Sequence, residues 1–204
     1  MRLYHNAYST NSHRVVLTAR HLGIPLDLVS VDLMSPADRE KLVRINPNSK
    51  IPVLEDGELM LWESCAIMQY LAEKTPGQTI YPSDARSRAD VHRWLFWCAQ
   101  HFSPAVSLIL WENCIKGMIG GGDPDPHEVA RGELQLAQFA RVLDDHLARR
   151  EWICGDGLTL ADMAIASPLM VSERAKLPVR QYRHVQAWFA RMQSLDAWKL
   201  SIAH

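Results

Sequence analysis

The sequence predicts an α+β domain with the element order βαβαββα, followed by an all-α helical domain. Three observations carry this expectation. Residues 1–76 alternate short strand-like runs with short helical patterns, punctuated by glycine and proline. Residues 77–86 contain Gly77, Pro82, Ser83 and Asp84, a linker composition. From 87 to 204 the chain reads as helical, with apolar stripes at helical spacing.

The elements follow in order. Residues 2–5 form a first short strand. Val15, Val16, Ala19 and Leu22 fall near helical spacing, and Gly23 and Pro25 stop that helix. The run 26–32, rich in β-branched residues, reads as a second strand, and a short helix is expected from Pro36 to Ile45. Residues 51–54 and 58–61 read as two strands joined through Glu55-Asp56-Gly57, a hairpin signal. A helix runs from Glu63 to about Lys74 and stops before Pro76-Gly77. Past the linker, one long helix extends from Ala85 beyond Trp111 and breaks at Gly120-Gly121-Gly122-Asp123-Pro124. Pro126 opens the next helix, in which Leu136, Phe139, Ala140, Leu143 and Leu147 make one stripe. Thr159-Leu160-Ala161-Asp162 has capping-box spacing with Asp in the acidic position, and a last helix pair covers 182–200.

Composition narrows the function. The 204 residues are 48% hydrophobic, enough to build a full core. Lys and Arg number 22 against 23 Asp and Glu, for a net charge of −1, and no basic run stands out. Nucleic acid and anionic membranes are therefore not expected partners. No apolar run is long enough to span a bilayer, and the start lacks a signal-peptide core, so a cytoplasmic protein is expected. Cys65, Cys98, Cys114 and Cys154 are widely spaced without CxxC, and read as reduced thiols. The nine histidines show neither HxxxH nor HExxH spacing, so no metal is expected.

The most informative segments are Ile51-Pro52-Val53-Leu54 and Trp62-Glu63-Ser64. Pro52 lacks an N–H, cannot sit mid-sheet, and can take a cis bond at the mouth of a strand. Such a bend turns the backbone N–H and C=O of Ile51 outward, toward a peptide-like ligand. Glu63 and Ser64 open a helix whose N-terminal amides and dipole favour a carboxylate. Together they describe a site for a small zwitterionic peptide.

Ser9-Thr10-Asn11-Ser12 lies at the N-terminus of the first helix, where an anion such as a thiolate is stabilised. Ser9 and Ser12 stand at the spacing of a CxxC pair, yet offer no protein thiol. A hydroxyl there can donate to the sulfur of a bound thiol. A free thiol titrates at about 8.5, so only ~3% is ionised at neutrality, and lowering that pKa by ~2 units requires about 2.7 kcal/mol. One charged hydrogen bond contributes about 1.5–3 kcal/mol and a helix terminus about 0.3–1, so the two suffice together.

Four segments taken together carry a resemblance over essentially the whole chain. They are Ser9 through Arg14-Val15, Asn46-Pro47 through Ile51-Pro52-Val53-Leu54, Trp62-Glu63-Ser64-Cys65-Ala66-Ile67, and Gly157-Leu158-Thr159-Leu160-Ala161-Asp162. In this order and spacing the chain resembles the cytosolic glutathione S-transferases, of a serine-type, bacterial phi/theta/nu-like kind. The resemblance implies a thioredoxin-like glutathione-binding domain, an all-helical domain presenting an electrophile, a homodimer and a role in detoxification. It implies that Ser9 activates the thiol, with Thr10, Asn11, Ser12 and Tyr8 as alternatives in the same loop. Ile51, ahead of a cis-Pro52, would pair with the cysteinyl backbone. Glu63 and Ser64 would bind the γ-glutamyl group and Lys50 the glycyl carboxylate, with Thr10 and Asn11 also near glutathione. Thr159 and Asp162 match a structural capping box.

Each feature also has a plainer reading. Ser9 and Ser64 fit as helix caps. His101 falls on one helical face with Trp94 and Trp97; these aromatics, with Phe102, Trp111 and Tyr8, either line an electrophile site or pack the core. The same scaffold also suits a glutathione-dependent isomerase, dehalogenase or etherase, or a non-catalytic glutathione-binding protein.

Overall fold

The computed structural model describes residues 1–202 and divides into two compact units. The first holds Met1–Tyr81 together with the segment from Ser194 onward, and the second holds Pro82–Gln193.

In the first unit, β1 (Arg2–His5), α1 (Thr10–His21), β2 (Asp27–Ser30), α2 (Pro36–Ile45), β3 (Val53–Asp56), β4 (Leu59–Trp62) and α3 (Ser64–Glu73) follow the expected order. The sheet order is β2-β1-β3-β4, with β1 and β2 parallel and the other pairs antiparallel. Alternation along the strands sorts the core into two faces. Val53, with Tyr4 packed against it, joins Val31, Leu42 and Ile51 toward α2. Leu3 and Leu54, directly paired and fully buried, face the other way, where α1 and α3 pack together. The β3–β4 turn is one residue later than the Asp56-Gly57 signal suggested: Asp56 pairs with Leu59, and Gly57 takes φ +63 as the first turn residue.

The second unit is helical. α4 (Ala85–Trp97), α5 (Ser103–Leu110) and α6 (Lys116–Met118) run on as one rod through two π-helical segments, Cys98–Phe102 and Trp111–Ile115. Pro104 explains the first. It has no N–H and its ring crowds the preceding turn, so the ladder widens and Ser103 N–H reaches Cys98 O. α7 (Pro126–Leu147) starts at the N-cap Asp125, whose carboxylate accepts from His127 N–H. Gly132 lets α7 approach α5 closely, because a Cβ there would lie 2.8 Å from Ile109 Cγ1. α8 (Leu160–Ala166), the short α9 (Ser172–Ala175) and α10 (Arg183–Ser194) complete this part of the chain.

One departure from the expected division matters. The last helix, α11 (Asp196–Ser201), belongs with the first unit and packs along α1. Trp198 is 3% exposed and meets the His13 ring edge-on, with centroids 4.7 Å apart. A boundary drawn from composition cannot see this return, since α11 is as helical as the segment before it.

Burial lowers His13 from its ordinary 6.5 to about 4, helped by the neighbouring Arg14 charge. In that interval the unfolded chain takes up a proton that the folded chain refuses. The ring's contribution to stability is therefore full above pH 6.5 and is lost as the pH falls toward 4, approaching about 3 kcal/mol. Urea midpoints measured across this range should decline less steeply in His13→Gln than in the wild type. Parallel curves would remove His13 as the cause.

Candidate functional site

Strand register assembles the site. Tyr4, Val53 and Trp62 lie side by side across β1, β3 and β4. β3 runs antiparallel to both neighbours, so the chain leaving β1, the chain entering β3 and the chain leaving β4 meet at one edge of the sheet. Those three stretches carry Ser9, Ile51-Pro52 and Glu63-Ser64.

Ser9 is the N-cap of α1, with φ −83 and ψ 118, and its Oγ accepts from Ser12 N–H at 3.2 Å. Its carbonyl accepts from His13 N–H at 2.9 Å, and its own N–H donates to Asn6 O at 3.0 Å. Capping uses a lone pair of the hydroxyl and leaves its hydrogen to donate. The cap and the thiol partner are thus compatible roles for one atom. Thr10, the first residue of α1, is half-buried, Asn11 is exposed, and Tyr8 is 69% exposed. Ser12 is 1% exposed, and its Oγ accepts from Asn6 N–H at 3.4 Å.

The Ile51–Pro52 bond is cis, and the regular pairing of β3 begins only at Val53. Ile51 is 9% exposed, and Lys50 beside it is exposed. Glu63 holds φ +70 and ψ 108, a sparsely populated conformation for a residue with a Cβ, and such strain gathers where a site requires it. No side chain caps α3 at Glu63, and its first turn has no acidic residue. Its leading amides therefore remain for an anion, with Ser64 at 7% exposure among them.

Two asparagines that the sequence reading did not assign to the site shape its loops. Asn6 donates through Nδ2 to Val31 O at 3.0 Å, and its Oδ1 accepts from Tyr8 N–H at 3.0 Å. Asn46, 2% exposed, accepts through Oδ1 from Asn48 N–H at 3.0 Å and donates through Nδ2 to Lys50 O at 2.6 Å. Asn followed two residues later by a turn amide is the available signal, and Asn-Pro at 46–47 carried it. Arg14, 1% exposed, reaches Cys65 Sγ of α3 at 3.6 Å.

The aromatic candidates of the second unit separate. His101 is exposed and stacks on Phe139 with centroids 5.2 Å apart, and Trp111 is 43% exposed. Phe102 is fully buried, and its ring stacks on Trp97 with centroids 5.4 Å apart, so it packs within the helical unit. The π segment that ends at Phe102 shifts the helical phase there, which simple i, i+3, i+7 counting does not anticipate.

A sheet edge that gathers a hydroxyl-capped helix, a cis-proline and an uncapped helix start, followed in the chain by a helical unit, makes this a thioredoxin-like fold in a two-unit protein. Comparison with known proteins agrees. Residues 1–73 match the family described as glutathione S-transferase, N-terminal domain, and residues 114–196 match glutathione S-transferase, C-terminal domain. Glutathione S-transferase 3 of Zea mays is 33% identical over 209 residues, covering 100% of this chain and 93% of that protein. The apo structure of glutathione S-transferase III superposes with a TM-score of 0.86 at 32% identity, covering 99% of this chain and 95% of that one. Glutathione S-transferase-I bound with lactoylglutathione gives a TM-score of 0.88 at 25% identity, covering 99% and 98%. The chain belongs to the glutathione S-transferase family.

Proposed function

We propose that the protein is a glutathione transferase of serine type, in which Ser9 holds the glutathione sulfur as a thiolate. The observation that carries this reading is the Ser9 hydroxyl itself. Its oxygen is anchored by Ser12 N–H, and its hydrogen is left to donate, at the sheet edge shared with cis-Pro52 and Ser64. In this reading Ile51 pairs its backbone with the cysteinyl residue. Glu63 takes the γ-glutamyl ammonium, Ser64 and the α3 amides take its carboxylate, and Lys50 takes the glycyl carboxylate. Thr10 and Asn11 contribute the first amides of α1.

The chemistry then follows. The thiol proton leaves to solvent, and Ser9 Oγ–H donates to the remaining charge, aided by the N-terminus of α1. The sulfur attacks a small apolar electrophile, forming the S–C bond as the leaving group departs with its electron pair. Tyr8 of the first unit, and separately His101 and Trp111 of the second, are exposed side chains kept as candidates for electrophile contact.

The reading includes a homodimer and a cytoplasmic detoxifying role; sedimentation and cell fractionation are the direct measurements. Among the described residues no helix is long and apolar enough to cross a membrane. The decisive test is titration of bound glutathione by the ultraviolet absorbance of its thiolate. The expected midpoint lies well below the free value of about 8.5. An unshifted midpoint would leave only binding.

A further inference from the structure

His13 and Ser201 join the catalytic loop to the far end of the chain. His13 sits in the first turn of α1, where its backbone N–H holds the Ser9 carbonyl at 2.9 Å. Its ring, 4% exposed, lies with Nε2 at 3.0 Å from Ser201 Oγ on α11. The proton on this contact can be placed. Ser201 Oγ donates its one hydrogen to Trp198 O at 2.7 Å, and a carbonyl can only accept. Ser201 must therefore accept from His13 Nε2–H. Trp198 closes the ring from the side.

Ser9 is oriented by two backbone donors, the N–H groups of Ser12 and His13. Both belong to the turn that α11 clamps. We propose that His13 is a positioning residue for the thiol-activating hydroxyl, held through Ser201, and that α11 is a strap that sets the donor direction of Ser9. This rests on Ser9 being the thiol partner. A hydroxyl aimed at a sulfur loses strength steeply with angle, so slack in the first turn of α1 weakens it while the glutathione backbone contacts at residues 51 and 64 persist.

The test compares His13→Leu, His13→Gln, Ser201→Ala and Ser9→Ala in the full chain. It measures the thiol midpoint of bound glutathione, kcat and the KM for glutathione with an activated aryl halide. Leu fills the ring's space without a donor, whereas Gln carries an amide N–H at nearly the reach of Nε2. His13→Leu and Ser201→Ala should raise the thiol midpoint by about half a unit and lower kcat about three- to tenfold, with KM within about twofold. His13→Gln should recover most of both. If His13→Leu does not fold, Ser201→Ala alone decides, because it deletes only a hydroxyl. A thiol midpoint unchanged in Ser201→Ala, while Ser9→Ala raises it, overturns the positioning role and leaves Ser9 intact. A Gln variant no better than Leu also overturns it, reducing the contact to packing. A midpoint unmoved by Ser9→Ala overturns the serine reading itself.

Discussion

Ser9→Ala is expected to lower kcat by about 10- to 150-fold, the equivalent of one hydrogen bond to a charged group at about 1.5–3 kcal/mol. Glutathione affinity should change by less than about threefold, because the proposed backbone and carboxylate contacts lie at residues 51, 63 and 64. The midpoint of kcat/KM against pH should move toward that of the free thiol, about 8.5. A structural cost accompanies the chemical one: loss of the N-cap acceptor for Ser12 N–H removes about 1 kcal/mol from α1. Ser9→Thr keeps both the cap and the donor and should retain most of the activity, which separates the two losses. Ser64→Ala should do the converse, weakening glutathione binding about tenfold with little change in the thiol midpoint. Wild-type turnover in Ser9→Ala would transfer the role to Thr10, half-buried as the first residue of α1.

That experiment is possible because so much of the first unit is legible in its residues. Proline and glycine mark the turns after α1, before β3 and between β3 and β4, and helix α2 lies over Pro36–Ile45, as its pattern predicts. The local geometry of the candidate site is legible in the same way: Pro52 takes the cis bond, Ser9 caps α1, and Glu63 opens α3. What the sequence hides is of two kinds. The first is tertiary return. α11 differs in no local property from a helix that stays with its neighbours, and only its packing on α1 shows that His13 and Ser201, 188 residues apart, meet. The second is helical phase. His101 and Phe102 are adjacent in sequence, one exposed and the other wholly buried, and they lie in a π segment whose wider turn departs from the helical phase that counting assigns. Aromatic residues have the same hydrophobic signature whether they line a pocket or fill a core, so the electrophile side is the least readable part of the chain.

One buried carboxylate gathers four hydrogen bonds in the second unit, and its removal should produce the largest loss of stability of any substitution considered. Asp162 is fully buried at the start of α8 and accepts four hydrogen bonds. Oδ1 takes Ile153 N–H and Trp188 Nε1–H, both at 2.9 Å. Oδ2 takes Thr159 N–H at 2.9 Å and the Thr159 hydroxyl at 2.8 Å. Thus the residue read as a helix cap also ties the loop before α8 to α10. Burial pushes its carboxyl up, and the four donated bonds pull against that shift. Asp162→Ala strands buried donors on Ile153 and Trp188 and opens the N-terminus of α8, an expected cost of about 3–5 kcal/mol. For a chain of this size that corresponds to roughly 10–15 °C in the unfolding midpoint. Asp162→Asn should lose nearly as much, since its amide N–H must face one of the same donors. Assayed cold, the folded fraction of either variant should keep its kcat, because nothing in the proposed chemistry at Ser9 calls on Asp162. A lowered kcat with an unchanged midpoint would reverse the assignment, making Asp162 part of the chemistry and leaving the fold held by something else.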